Sequence, residues 1–218
     1  MRTKRLIIYD LDGTLVDTRE DIAQAANHML ARMGKPSLTR EEICRFVGAG
    51  VTSLAQGCLR TQEPATVQEG VQIYRAYYAK HFLDYSRLYP GAREVLEHFR
   101  ERKQAMITNT PNPFSRDILA GLGVLEFFTD LIAGDSGYPV KPDPKAIRSL
   151  MDGNRVSPEE TLVVGDSPID VEMGRNAGVE AAVLTHGFGE REEIVASNPA
   201  AILDHFKDLI DLAVKKKW

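Results

Sequence analysis

The chain has 218 residues, 43% of them hydrophobic, enough for the core of one large domain or two unequal ones. Its formal charge of −4 argues against a nucleic acid or an anionic membrane surface as partner. No apolar run approaches the roughly 20 residues that cross a bilayer, and Cys44 and Cys58 lack metal-ligand spacing, so a reduced, cytoplasmic setting is expected.

Met1-Arg2-Thr3-Lys4-Arg5 is basic, but the apolar run after it is too short for a signal-peptide core. That run, Leu6-Ile7-Ile8-Tyr9, has the pattern of a strand buried on both faces. Asp10 and Asp12 stand at its carboxyl end, and Gly13 lets the chain turn away. Ligands of open α/β sheets bind beyond the carboxyl ends of strands, so chemistry is expected here. Two carboxylates so close repel one another unless a cation or a shared proton intervenes, and a divalent metal chooses oxygen ligands. An ordinary Asp12-Gly13 turn is the other reading of the same residues.

From residue 18 to 33, Ile22, Ala26, Met29 and Met33 fall at helical spacing, with Asp17 and Glu20 placed as a cap pair. Gly34-Lys35-Pro36-Ser37 breaks this helix, and Thr39-Arg40-Glu41-Glu42 has a capping-box signature. Gly48-Ala49-Gly50 interrupts the next segment, after which Val51, Leu54, Ala55 and Leu59 resume the period. A further helix carries Val67, Val71, Tyr74, Tyr78 and Phe82 on one face. No strand is expected between Asp17 and Tyr85, so this stretch reads as an all-helical block.

From Pro90-Gly91 helices and strands alternate. A helix over residues 92–101 precedes a buried strand, Ala105-Met106-Ile107-Thr108, and Asn112-Pro113 opens the next helix with Asn as cap. Asp130-Leu131-Ile132-Ala133 is a strand, and Asp143-Pro144 opens a helix in the same manner. Ser157-Pro158-Glu159-Glu160 leads into the strand Leu162-Val163-Val164-Gly165, and Ser167-Pro168 begins a helix that Gly178 ends. Ala181-Ala182-Val183-Leu184 and the weaker Ala201-Ile202-Leu203 complete the strands before a closing helix with a lysine-rich end. Strands separated by helices imply parallel crossovers. The expected fold is α/β, a doubly wound Rossmann-like parallel sheet with a helical domain inserted after the first strand. Residues 1–15 and 87–218 form the core domain in this reading, and 16–86 the insert.

The loops after parallel strands share one edge of the sheet. They carry Asp10 and Asp12, then Thr108 and Asn109, then Lys141-Pro142, then Gly165-Asp166-Ser167-Pro168-Ile169-Asp170. Carboxylates for a divalent cation, with a hydroxyl, an amide and a lysine for an anion, describe a magnesium-dependent phosphate site. Asp166, at a strand tip, is placed as a direct metal ligand, and Asp170, inside the following helix, as a residue acting on the metal through water. Histidines 28, 81, 98, 186 and 205 are scattered and need no function.

These four segments, in this order, resemble the motifs of the haloacid dehalogenase superfamily, in its phosphatase branch, and the run from Asp12 to Thr18 is most similar to its phosphoglycolate phosphatase group. The resemblance covers nearly the whole chain and puts the helical block where such proteins carry a mobile cap. It implies Asp10 as nucleophile, forming an aspartyl-phosphate, and Asp12 as the proton donor and acceptor. It implies Thr108, Asn109 and Lys141 around the phosphoryl group, and Mg²⁺ held by Asp10, the Asp12 backbone carbonyl and Asp166. Arg45, Gly48 and Gly50 become candidates for substrate contacts from the cap, with hinges near residues 15–16 and 88–90. Dehalogenases lack the second aspartate, so Asp12 removes carbon–halogen chemistry. One departure stands out: Thr110-Pro111 follows Thr108-Asn109 where the phosphoglycolate phosphatases usually carry Lys-Pro.

The expected function is a Mg²⁺-dependent phosphomonoesterase acting on a small phosphorylated metabolite, 2-phosphoglycolate among them, as a cytoplasmic monomer or homodimer. A phosphosugar mutase, a pyrophosphatase and a nucleotidase of the same superfamily are alternatives. A receiver-like signalling module would share the aspartates, threonine and lysine. It would carry its phospho-acceptor on a later strand and would have no helical insert.

Overall fold

All four residues of β1 (Leu6–Tyr9) are fully buried in the computed structural model, which describes residues 3–218 and leaves Met1 and Arg2 of the basic N-terminal stretch outside. A two-residue strand, β2 (Val16–Asp17), follows, and then the helices α1 (Arg19–Arg32), α2 (Arg40–Cys44), α3 (Val51–Leu59) and α4 (Pro64–His81). The chain returns through β3 (Arg87–Leu88) and alternates α5 (Ala92–His98), β4 (Lys103–Ile107), α6 (Phe114–Gly121) and β5 (Asp130–Ile132). It closes with α7 (Lys145–Asn154), β6 (Thr161–Gly165), α8 (Pro168–Ala177), β7 (Glu180–Leu184), α9 (Arg191–Ala196), β8 (Ala201–Leu203) and α10 (Asp208–Lys216).

The main sheet has six parallel strands in the order β5-β4-β1-β6-β7-β8. β1 is central, with Ile8 in register with Ala105 on one side and Val163 on the other. Side chains alternate across a strand, so the two faces sort themselves. Ile7 and Tyr9 join a core with Val95 and Leu96 of α5, Ile118 and Leu119 of α6, and Leu209 of α10. Leu6 and Ile8 join the opposite core with Ile147 of α7, Val171 of α8 and Ile194 of α9. Layers on both faces explain why β1 reads as a continuous apolar run without polar alternation. Strand order reverses beside β1, the topological switch point where such sheets open a crevice.

Helices α1 to α4 share a third apolar cluster, separate from the sheet cores. Ile22, Ala26, Met29 and Leu30 of α1 meet Leu54 and Leu59 of α3 and Val67, Tyr74 and Tyr78 of α4. Phe114 and Phe188, from the sheet side, pack against it. Asp21, 1% exposed, ties the start of α1 to the returning chain. Its carboxylate accepts from Tyr85 N (3.0 Å), Ser86 N (2.8 Å) and Ser86 Oγ (2.6 Å).

Several local expectations are corrected. The N-cap of α1 is Thr18, and it makes no side-chain cap bond, because its hydroxyl is engaged by Asp12. The expected Asp17–Glu20 pair does not form, and Glu20 accepts instead from Gln24 one turn on. α6 begins at Phe114 with Pro113 as N-cap, and Asn112 Oδ1 accepts from the Ser115 hydroxyl. α5 ends at His98, three residues short of the expected end. The chain around residues 15–16 and 88–90 contains β2 and β3, paired antiparallel as Val16 with Leu88 and Asp17 with Arg87. The capping box at Thr39 is present, with Thr39 Oγ1 accepting from Glu42 N and Glu42 accepting from Thr39 N. Cys44 and Cys58 are free thiols, and no helix among the described residues is long and apolar enough to cross a membrane.

Candidate active site

Asp10 leaves β1 still on the sheet ladder, its N–H donating to Val164 O at 2.9 Å, so its side chain projects at the carboxyl edge. Gly13 then turns the chain at φ +82, and a Cβ there would lie 2.3 Å from Asp166 Oδ2. Only glycine combines that conformation with that approach. The turn brings Thr14 Oγ1 to Asp166 Oδ1 at 2.8 Å, and Phe188 N donates to Asp166 Oδ2 at 2.6 Å.

Lys141, 4% exposed, stands between two aspartates, with Nζ 2.7 Å from Asp10 Oδ1 and 2.8 Å from Asp170 Oδ1. Its backbone N–H donates to Asn109 Oδ1 at 2.9 Å. The other oxygen of Asp170 closes the capping box of α8, accepting from Ser167 Oγ at 2.9 Å and Ser167 N at 3.2 Å. Gly165 allows this, since a Cβ there would meet Asp170 Cγ at 2.2 Å. Carboxylate oxygens of Asp10, Asp166 and Asp170 lie within 4.8 Å of one another, all three buried. The Asp12 carboxylate is turned elsewhere, held by Thr18 Oγ1 at 2.7 Å and Thr110 Oγ1 at 2.6 Å.

Burial is the largest influence on these acids. It pushes Asp10 well above the carboxylate range, against the pull of Lys141, and Asp170, Asp166 and Asp12 push the same way. It raises Asp12 despite the hydroxyls of Thr110 and Thr18, which favour the charged form. It raises Asp166 to about 7, helped by the charge on Asp170 and opposed by the Phe188 N–H and Thr14. For Lys141 burial disfavours the ammonium, but Asp10 and Asp170 outweigh it and the pKa rises. Four buried carboxylates thus face one buried ammonium. Three hard oxygen donors within 4.8 Å, in a site short of positive charge, fit a divalent cation.

Asp10, Asp12, Thr108, Asn109 and Lys141 line one cleft together with Gly48 and Gly50. Asn109 joins its two sides, donating from Nδ2 to Gly48 O at 2.7 Å. Arg45 is a correction: it lines a separate cleft with Arg19, Arg40 and Phe188, because it caps the end of α2 and the chain turns only later, at Gly48 (φ +117). The cation that α4 presents to the first cleft is Arg75, beside Tyr74 and Tyr78. Sequence reasoning also missed Thr14, Thr18 and Thr110 as carboxylate donors. Arg75 carried one legible signal, a charge directly adjoining the buried Tyr74–Tyr78 stripe. His186 stacks on Tyr89 at 3.8 Å and places Nε2 3.2 Å from Thr14 O.

The family model for haloacid dehalogenase-like hydrolases matches residues 7–184. The chain is 33% identical over 217 residues to a phosphoglycolate phosphatase of Vibrio parahaemolyticus, covering 95% of each. It is 35% identical over 215 residues to one of Pseudomonas syringae pv. tomato, covering 94% of this chain and 78% of the relative. Its fold is similar to the crystal structure of a predicted phosphoglycolate phosphatase from Haemophilus somnus, with a TM-score of 0.92 and 28% identity over 98% of this chain and 99% of that one. The chain therefore belongs to the haloacid dehalogenase-like hydrolases, and within them to the phosphatases.

Proposed function

We propose that this protein is a Mg²⁺-dependent phosphomonoesterase that works through an aspartyl-phosphate on Asp10, with 2-phosphoglycolate the first metabolite to test. The observation that carries the reading is the buried Asp10–Lys141–Asp170 chain, at 2.7 and 2.8 Å, beside Asp166. Asp10 and Asp166 would hold the ion with their carboxylates and Asp12 with its backbone carbonyl, while Asp170 supports Lys141 from behind. The bound ion supplies positive charge where an anionic nucleophile meets an anionic phosphoryl group.

An Asp10 oxygen attacks phosphorus and the bond to the alcohol oxygen breaks. Asp12, whose burial favours its protonated form, gives that proton to the departing alkoxide. Thr18 and Thr110 keep its carboxyl aimed. The Asp12 carboxylate then takes a proton from the water that attacks phosphorus, the bond to Asp10 breaks, and inorganic phosphate leaves. Lys141 and Thr108, with the Asn109 segment, hold the phosphoryl oxygens through these steps. Residues 16–86 act as a cap that closes over the core formed by 1–15 and 87–218 and excludes water, seated by the Asn109–Gly48 bond.

The test is phosphate release from p-nitrophenyl phosphate. It should require Mg²⁺, stop with chelator, and be lost in Asp10→Asn; an Asp10→Asn protein as fast as wild type would falsify the nucleophile assignment.

A further inference from the structure

The cleft above Asp10 has a chemically uneven lining. Its floor is polar, with Asp10, Asp12, Thr108, Asn109, Thr110 and Lys141. Its helical side is built from Ile22, Val47, Leu54, Tyr74 and Tyr78, with Arg75 as the one charge among them. Lys141 lies on the floor, bound to Asp10 and Asp170 and placed for the phosphoryl end of the substrate. Thr110, which stands where the resemblance expects a lysine, donates its hydroxyl to Asp12. Arg75 is therefore the only other cation lining the cleft among the described residues, and it makes no hydrogen bond or ion pair with any of them.

We infer that Arg75 is the specificity-determining residue of this cleft, binding the carboxylate on the alcohol part of a substrate such as 2-phosphoglycolate. The inference rests on the phosphatase reading, because it takes the phosphoryl group to lie at Asp10 and the remainder of the molecule to extend toward α4. A guanidinium presents paired donors that match a carboxylate, and no other group on the helical side could balance a charge there. A single guanidinium suits a monoanion, whereas a second phosphate dianion would add more charge to a cleft that already holds Asp10 and Asp12. Arg75 is exposed in this cleft, so the expected selectivity is modest, about fivefold.

The test compares 2-phosphoglycolate with the phosphate ester of glycolamide, which keeps the shape and removes the charge. Hydrolysis is measured with wild type, Arg75→Ala and Arg75→Lys, and binding of both esters is measured on each protein carrying Asp10→Asn. The wild type should favour the carboxylate by about fivefold in kcat/KM and in affinity. Arg75→Ala should lose that preference through a higher KM for 2-phosphoglycolate, Arg75→Lys should keep part of it, and Arg45→Ala, altered in the other cleft, should keep all of it. Equal handling of both esters by the wild type, or a preference that survives in Arg75→Ala, overturns the inference. Because binding is read on the Asp10→Asn background, the preference is measured even if the phosphatase reading fails and no ester is hydrolysed.

Discussion

Thr110→Val keeps the shape of the side chain and deletes the hydroxyl that donates to Asp12 Oδ2 at 2.6 Å. The Thr18 hydroxyl, at 2.7 Å, and that of Thr108 still favour the charged carboxylate. A hydrogen bond to a charged group contributes about 1.5–3 kcal/mol. Losing a bond that favours the ionised form raises the Asp12 pKa further, in the direction burial already pushes it. Formation of the aspartyl-phosphate from an alkyl ester needs protonated Asp12, so the basic limb of kcat/KM against pH should move to higher pH. The assay is a pH series with 2-phosphoglycolate at saturating Mg²⁺, repeated with p-nitrophenyl phosphate. The nitrophenolate leaves without a proton, so its profile should lack that limb in both proteins. A limb that stays in place in Thr110→Val, or moves to lower pH, refutes the role given to Asp12.

Asn109→Ala removes the bonds to Gly48 O and from Lys141 N, and should lower kcat/KM by about tenfold or more while costing only about 1–3 kcal/mol in urea unfolding. Asp21→Ala leaves the Tyr85 and Ser86 donors without their acceptor and should destabilise the protein by about 3 kcal/mol or more, read from the same unfolding curves. In the metal-free protein Asp166 holds its proton up to about pH 7, whereas its ordinary value is 3.8. Between those values the folded state binds more protons than the unfolded one, so metal-free stability should fall as pH rises from about 4 to 7. Metal ligands must be deprotonated, so Mg²⁺ should raise Tm more at pH 8 than at pH 5, as melts at the two pH values would record.

The strands and the polar residues at their ends were legible because each sits on one local pattern, an apolar run ended by a turn-forming or helix-capping residue. Asp10, Lys141 and Asp166 group together from the sequence alone, since parallel strands deliver their loops to one edge. The threonines could not. Thr18 opens the first expected helix and Thr110 follows the Thr108-Asn109 strand end, and each is assigned to Asp12 only by how the insert and the β4 loop come together. Asp21 carries no local signal beyond its place in the first turn of α1, and the three donors to its carboxylate lie more than sixty residues away. β2 and β3 have two residues each, too few to show alternation. Arg45 was misplaced because closeness in sequence to Gly48 does not fix which cleft a helix end faces.

The central claim is a covalent bond between phosphorus and Asp10, and trapping that bond tests it most directly. Enzyme mixed with substrate and Mg²⁺, quenched in acid and reduced with borohydride, should contain homoserine in place of aspartate at position 10 alone, as peptide mass spectrometry would locate it. Full turnover with position 10 unmodified, or with the reduced residue at Asp12, Asp166 or Asp170, would contradict the account.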